Sequence, residues 1–222
     1  MRLVLTSDTH GKLPPDLILP EGDILIHAGD ATMSGTLHEM RQFAAWMKIQ
    51  PHAVKLFVPG NHDFIFQPEG RLYDDAIDAM RDAGVEVLID RLVFAKGLAF
   101  YGSPWTPEFG RWAFELPKSG PEIAGKWAKI PDDLDVLITH GPPWGILDVV
   151  TSGEHAGCEM LRERLDGMKH PPRLHAMGHL HEARGSLVLG ATTFMNVAAL
   201  DERYRLVGSV AVVHIMTPEP RV

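Results

Sequence analysis

Residues 54–63 read Val-Lys-Leu-Phe-Val-Pro-Gly-Asn-His-Asp, a mostly apolar run followed at once by polar side chains. The run at residues 54–58 predicts a buried strand, and the Pro-Gly pair after it predicts a turn. Asn61, His62 and Asp63 lie in that turn. Open α/β sheets bind ligands at the carboxyl ends of their strands. This stretch therefore predicts both an α/β sheet and the edge at which its functional site lies.

The same design, an apolar run and then a turn with polar side chains, recurs along the chain. It places Asp8 and His10 after residues 3–6, Asp30 after residues 24–27, His140 after residues 135–139, and His179 and His181 after residues 173–177. Each segment alone is a weak signal, since Asp and Gly are common in ordinary turns. His179 and His181 are stronger, because side chains two positions apart in an extended chain project to the same side. Together the turns predict one shared site.

The residue types in these turns indicate metal chemistry. Carboxylates, imidazoles and an amide oxygen, without sulfur ligands, favour two divalent or trivalent ions such as manganese, iron or zinc. Two cations about 3.5–4 Å apart that share a hydroxide can both activate water and hold phosphoryl oxygens. Such a pair needs a bridging carboxylate, for which Asp30 is the candidate. The sequence thus predicts two-metal hydrolysis of phosphoesters.

The spacing of apolar residues between the strands is helical at residues 37–47, 73–83, 121–129 and 158–168. The tail at residues 186–215 alternates between apolar and polar residues and is rich in β-branched residues. This pattern predicts two to four antiparallel strands. We therefore expect an α/β, or layered α+β, fold: two mixed β-sheets packed as a sandwich and flanked by helices, in four layers. Because the site motifs come from both halves of the chain, we expect a single domain over residues 1–222.

The composition of the chain limits the classes of partner and the cellular location that we expect. The formal net charge of −8 argues against a stable nucleic-acid partner, since neutralising phosphates requires clustered Lys and Arg. The single cysteine excludes a disulfide within the chain. No stretch approaches the roughly 18 apolar residues of a membrane span, and the N-terminus lacks a signal core. We expect a cytoplasmic protein without a membrane partner; the oligomeric state is not predicted.

The ordered motifs Asp8-x-His10, Gly29-Asp30, Gly60-Asn61-His62-Asp63, His140 and Gly178-His179-x-His181 resemble the full motif set of the calcineurin-like metallophosphoesterase superfamily. More narrowly, the strings at residues 7–10, 102–107 and 139–143 resemble the brain-type metallophosphoesterase-domain-containing proteins. Those are phosphodiesterases with weak activity on small or cyclic nucleotides. The resemblance implies a small phosphoester substrate, with nucleotides among the candidates.

The resemblance also implies a role for each motif residue. One metal ion would take Asp8, His10, His181 and the bridging Asp30, and the other would take Asp30, Asn61, His140 and His179. His62 would lie outside both sets and act as a catalytic residue, stabilising the phosphoryl charge or protonating the leaving oxygen. Asp63 would orient His62. Some brain-type relatives carry a small residue in place of His179, so its presence here implies a complete second metal site.

Several alternatives stay open at the level of sequence. The same site could serve a phosphomonoesterase or protein phosphatase, or a nucleotide-binding module with little catalysis. Trp105 and Trp144 follow Pro-containing turns and could either stack on a substrate ring or brace their loops. His27, inside an apolar run, is expected to be a core residue or to support the site. His155 has no predicted partner.

Overall fold

The computed structural model describes residues 1–14, 16–67, 70–208 and 210–217 of the chain. Its helices are α1 (Leu37–Ile49), α2 (Tyr73–Asp82), α3 (Pro121–Trp127) and α4 (Glu159–Asp166). Its strands are β1 (Arg2–Thr6), β2 (Ile24–His27), β3 (Val54–Phe57), β4 (Glu86–Val87), β5 (Arg91–Ala95), β6 (Leu98–Ser103), β7 (Thr106–Pro107), β8 (Glu115–Leu116), β9 (Val136–Thr139), β10 (Leu174–Met177), β11 (Gly185–Leu189), β12 (Thr192–Asn196) and β13 (Ala211–His214). The predicted single domain over 1–222 extends to residues outside the described ranges.

Within these ranges the longer strands form two mixed sheets. The first has the order β13-β1-β2-β3-β4 and is parallel except for β13, which runs antiparallel to β1. The second has the order β11-β12-β10-β9-β6-β5; its inner strands are parallel and its two edge strands antiparallel. Parallel strands end at a common edge, so each sheet gathers its predicted turns at one side.

Alternation along the strands explains how the sheets pack. Leu3 and Leu5 of β1 lie in a buried cluster with Phe100 of β6 and Ile138 of β9, which fills the space between the sheets. Val4 faces the opposite way and belongs to a cluster that includes residues of α1 and α2. A third cluster joins the outer face of the second sheet to α3 and α4. The predicted sandwich of two mixed sheets flanked by helices is confirmed.

Local sequence explains where α1 begins and which face it buries. Thr36 and Glu39 form a capping box, in which each side chain accepts a hydrogen bond from the other residue's backbone N–H. Met40, Phe43 and Met47 then recur at helical spacing and are buried against the first sheet. The predicted helix at residues 37–47 is therefore present and extends to residue 49.

The tail contributes to both sheets. Strands β11, β12 and β13 each have an antiparallel neighbour, as the alternating pattern predicts. β12 has in addition a parallel neighbour, β10, and β13 pairs with β1 at the edge of the first sheet. Ser7, directly after β1, forms a parallel bridge with Ala198, which joins the ends of the two sheets. Among the helices of the described residues, none is long and apolar enough to cross a bilayer.

Candidate metal centre

The predicted metal-binding side chains lie together at the carboxyl ends of the parallel strands. Their carboxylate and imidazole atoms form overlapping groups, within each of which the atoms are at most 4.8 Å apart. The groups are Asp8, His10 and His181; His10, Asp30 and His62; and Asp30, His140 and His179. His62, which was predicted to lie outside both ligand sets, therefore lies within reach of His10 and Asp30. Asn61 joins them through its side-chain oxygen, 2.9 Å from His140 Nε2. His10 and Asp30 each belong to two groups, and of the two only Asp30 has a carboxylate that can bridge two ions.

The backbone at this edge turns sharply. Asp8, His10, Asp30 and His179 have left-handed φ angles of 51°, 43°, 55° and 70°. This conformation is unusual for residues with a Cβ and costs on the order of 1–3 kcal/mol at each position. Hydrogen bonds between the turns maintain it, including Asp8 N–H to Gly29 O at 2.8 Å and His10 N–H to Asp30 O at 2.9 Å. Strain concentrated in this way is typical of functional sites.

Two glycines allow the carboxylates to approach the neighbouring backbone. A Cβ on Gly60 would collide with Asp30 Oδ1, and a Cβ on Gly178 would collide with Asp8 Oδ2. Because these positions carry no side chain, the backbone N–H of His62 can donate to Asp30 Oδ1 at 2.8 Å. The glycines of the Gly-Asn-His and Gly-His motifs are thus required by the packing of the site.

The protonation of His10 and His181 fits a bound cation. His10 Nδ1 lies 3.2 Å from Thr32 O, and His181 Nδ1 lies 2.9 Å from Asp201 O. A carbonyl oxygen only accepts, so each Nδ1 carries a proton and each Nε2 is the nitrogen turned into the site. The two Nε2 atoms face each other at 3.3 Å. Burial lowers the pKa of His181, but the Asp8 carboxylate outweighs it and raises the pKa to about 9. A positive charge between the two Nε2 atoms, from a proton or a metal ion, satisfies both rings.

His140 also turns its Nδ1 to a backbone carbonyl, but its Nε2 faces side-chain oxygen atoms. Its Nδ1 lies 2.9 Å from Ala28 O, and its Nε2 lies 2.9 Å from Asn61 Oδ1 and 3.3 Å from Asp30 Oδ1. Burial lowers the pKa of His140, but the Asp30 carboxylate outweighs it and raises the pKa to about 9. Burial likewise raises the pKa of Asp30, yet the charge of His140 holds it below its ordinary value. A positive charge at this point, from a proton or a metal ion, satisfies all three side chains.

His179 completes this group in the form that a metal ligand requires. Burial lowers the pKa of His179 to about 3, so its imidazole is neutral at pH 7. Its ring centre lies 4.9 Å from that of His140. The chemistry of the donors therefore fits a metal centre made of the predicted residues, while the assignment of each residue to a particular ion remains a prediction.

His62 and Asp63 lie where the sequence places them but have different partners from those predicted. His62 Nδ1 lies 2.7 Å from Met33 O, so this carbonyl orients the ring. The buried Asp63 carboxylate accepts hydrogen bonds from Thr32 Oγ1 at 2.7 Å and from the backbone N–H groups of Gly60, Thr32 and Ala31. The prediction that Asp63 orients His62 is corrected, because Asp63 instead ties the turn after β3 to the turn after β2.

A cavity of about 460 Å³ opens over the predicted ligands and contains residues that the sequence analysis missed. The Phe109 and Trp112 rings line this cavity and remain open to solvent, with 55% of Phe109 and 37% of Trp112 exposed. The Trp112 ring centre lies 4.4 Å from that of His62. Glu115 fixes the turn that carries both rings, since its carboxylate accepts the backbone N–H groups of Phe109 and Trp112 at 3.0 and 2.9 Å. The signal available in the sequence was the pair of aromatic residues around Gly110, in a stretch without strand or helix spacing.

The other residues singled out in the sequence fall into two kinds. Trp105 braces its loop: its Nε1–H donates to Asp90 at 2.9 Å, and Lys126 lies 3.7 Å from its ring centre. His27 is fully buried, with Nε2 3.0 Å from Thr9 Oγ1, and burial lowers its pKa to about 3. Trp144, by contrast, is 42% exposed. Of Trp105, His27 and Trp144, only Trp144 is exposed enough to meet a ligand.

Comparison with known proteins places this geometry in a family. A family profile described as calcineurin-like phosphoesterase matches residues 1–183. Metallophosphoesterase domain-containing protein 1 of Homo sapiens is 35% identical, and the match covers 98% of this chain and 72% of the human protein. The UPF0046 protein C25E10.12 of Caenorhabditis elegans is 34% identical over 92% of this chain and 77% of its own length. A solved crystal structure, 15% identical, superposes with a TM-score of 0.68 over 96% of this chain and 98% of that one, which supports the fold alone. The chain therefore belongs to the calcineurin-like metallophosphoesterase family.

Proposed function

We propose that this protein is a two-metal phosphodiesterase that hydrolyses small phosphodiesters, with cyclic nucleotides among the candidate substrates. Family membership supports phosphoester hydrolysis. The observation that carries the two-metal proposal is that imidazole Nε2 atoms turn into the site on both sides of Asp30. His10 Nε2 and His181 Nε2 face each other at 3.3 Å on one side, and His140 Nε2 faces Asp30 Oδ1 at 3.3 Å on the other.

The proposed ligands divide about Asp30. Asp8, His10 and His181 would hold one ion, Asn61, His140 and His179 the other, and Asp30 both. Bound ions of this kind supply an activated water molecule and a positive clamp for the phosphoryl oxygens. The chain keeps its ligands in place through backbone contacts: Asp8 accepts the His179 N–H at 3.0 Å and Asp30 accepts the His62 N–H at 2.8 Å.

His62 is the proposed catalytic residue beside the metal ligands. Hydrolysis of a diester forms a bond from a water oxygen to phosphorus, breaks the bond to the leaving oxygen and delivers a proton to that oxygen. Met33 O holds Nδ1–H of His62, so Nε2 is the nitrogen that meets the substrate. When protonated, Nε2 can donate to a phosphoryl oxygen or to the leaving oxygen. Asp63 contributes by holding the turn from which His62 projects.

The walls of the cavity support a substrate with an organic group beside the phosphate. Phe109 lies with its ring centre 5.2 Å from that of His179, and Trp112 lies beside His62. Rings held this close to the proposed reaction centre suit a planar substituent, which gains about 0.5–1.5 kcal/mol from stacking. The cavity volume of about 460 Å³ suits a small molecule.

The proposal is tested by adding Mn²⁺ to the purified protein and following release of nitrophenolate from bis(4-nitrophenyl) phosphate. We expect turnover that a chelator abolishes and that an Asp30→Asn variant of intact fold lacks. 4-Nitrophenyl phosphate assayed in parallel separates the alternatives. A clear preference for this monoester would refute the diester assignment, and bound metal without turnover of either substrate would favour the nucleotide-binding alternative.

A further inference from the structure

The loop between His140 and α4 is folded around a buried carboxylate. Asp148 is only 1% exposed, and its carboxylate accepts the backbone N–H groups of Gly145 at 2.8 Å and Gly157 at 3.2 Å. The loop is closed at its base by a bridge between Pro143 and Cys158. Burying an ionisable group is costly unless its hydrogen bonds are satisfied. Asp148 therefore gives this loop one defined shape.

The remaining partner of Asp148 is a side chain at the surface. His155 Nδ1 lies 2.7 Å from Asp148 Oδ1, which fixes the imidazole ring and leaves Nε2 to meet a ligand. The His155 side chain is 42% exposed, and its ring centre lies 4.9 Å from that of the half-exposed Trp144, at an interplanar angle of 39°. Two rings that are held in place and remain open to solvent form a surface suited to stacking.

This ring pair lies beside the proposed reaction centre. His155 lines the cavity over the metal ligands and also a neighbouring cavity of about 280 Å³, whose wall includes Trp144. Pro107, Lys118 and Ala156 also line both cavities, so the two spaces are contiguous. A molecule bound at the metal centre can therefore extend past His155 towards Trp144. Lys118 lies at the junction, with Glu154 in the first cavity and Glu159 in the second.

We propose that Trp144 and His155 form a second binding subsite that stacks a planar ring on one end of a phosphodiester. The inference rests on the proposed function and extends it. A phosphodiester has two organic substituents, and the cleft offers two aromatic surfaces on different loops: Phe109 with Trp112, and Trp144 with His155. A phosphomonoester would leave one of them empty.

The two surfaces are assigned to the two ends of the substrate by their neighbours. Trp112 stacks beside His62, the proposed donor to the leaving oxygen, so the surface of Phe109 and Trp112 lies with the leaving group. The Trp144–His155 subsite then takes the substituent that stays on phosphorus. Asp148 is a positioning residue, since it reaches the substrate only through His155.

The test compares bis(4-nitrophenyl) phosphate with methyl 4-nitrophenyl phosphate, which has a methyl group in place of the second ring. We expect Trp144→Ala and His155→Ala to raise KM for the two-ring substrate about two- to tenfold, with kcat within about twofold of the wild type. KM for the methyl substrate should stay unchanged. Asp148→Asn should also raise KM for the two-ring substrate relative to KM for the methyl substrate. Phe94→Ala is the matched control, because Phe94 is an exposed aromatic on β5, outside both cavities.

Equal losses on the two substrates, or none, would overturn the subsite and leave Asp148 and His155 as a brace for the loop. Equilibrium binding keeps the inference testable if turnover is absent and the proposed function fails. The Mn²⁺-loaded protein is titrated with diphenyl phosphate and with methyl phenyl phosphate in a calorimeter. A preference for diphenyl phosphate that Trp144→Ala removes supports the subsite, whereas equal affinities contradict it.

Discussion

His175 provides a quantitative test of the packing beneath the metal centre. It is fully buried in β10, and its Nε2 lies 2.7 Å from Thr139 Oγ1. The Thr139 hydroxyl donates to Gly141 O at 2.7 Å, so its proton is used and Nε2–H of His175 is the donor in the first contact. His175 Nδ1 has no hydrogen-bond partner among the described residues. Burial accordingly lowers the pKa of His175 from 6.5 to about 3.

The sign and size of the effect follow from this shift. Below pH 6.5 the unfolded chain binds a proton on His175, while the folded protein does not until about pH 3. The contribution to stability is therefore fully present above pH 6.5 and is lost as the pH falls towards 3. At pH 5, which is 1.5 units below the ordinary value of 6.5, the loss is about 2 kcal/mol at 1.36 kcal/mol per unit.

The perturbation is His175→Gln, which keeps a donor for Thr139 and cannot titrate. Urea unfolding of the metal-loaded wild type and variant is followed by circular dichroism between pH 5 and 7.5. We expect the unfolding free energy of the wild type minus that of the variant to fall by about 2 kcal/mol from pH 7.5 to pH 5. Losses from metal release are common to both proteins and cancel in this difference. His38→Gln, an exposed histidine on α1, is the control and should leave the difference constant. Parallel curves for His175→Gln and the wild type would refute the reasoning.

Other substitutions test the division of roles in the site. His62→Ala should leave the metal content unchanged and lower kcat about 10²- to 10⁴-fold; loss of metal, measured by mass spectrometry, would contradict its placement outside the ligand set. His179→Ala should lower the metal-to-protein ratio by about one, and an unchanged ratio would remove His179 from the ligands. Gly178→Ala should also lose metal while remaining folded, because the added Cβ collides with the Asp8 carboxylate. Gly125→Ala, where a Cβ meets open space, is its control and should keep the wild-type metal content.

The strand ends were predictable because two local patterns coincide in each of them. The run at residues 54–58 predicts β3, and the Pro-Gly pair predicts its end; the structure has the strand at Val54–Phe57 and the turn directly after it. β2 and β3 pair in parallel, so Asp30 and Asn61, which follow them, lie at the same edge of the first sheet. Strand period and turn chemistry predicted the edge at which these side chains meet, and the resemblance to the metallophosphoesterases implied which of them would bind each ion.

The contacts that the sequence did not reveal depend on distant parts of the chain. Asp63 follows His62 directly, yet its carboxylate turns towards the loop after β2 and bonds Thr32. His155 finds its partner in Asp148, seven positions away within an irregular loop. No periodic pattern governs such loops, so neither the pairing nor the cavity beside it could be predicted.

Strand pairing in the tail could not be predicted either, because it also depends on distant parts of the chain. The alternating pattern of β12 predicts a half-buried strand, and its burial alternates as expected. The pattern contains no information about its neighbours, and β12 lies between the antiparallel β11 and the parallel β10. β13 joins the other sheet at its edge, where it pairs antiparallel with β1.

Anomalous diffraction from crystals of the Mn²⁺-loaded protein tests the central claim most directly, since it locates each ion and counts the ions at the site. The account predicts two peaks about 3.5–4 Å apart on either side of the Asp30 carboxylate. One peak is expected beside His10 and His181, and the other beside His140 and His179. A single peak, or peaks remote from Asp30, would contradict it.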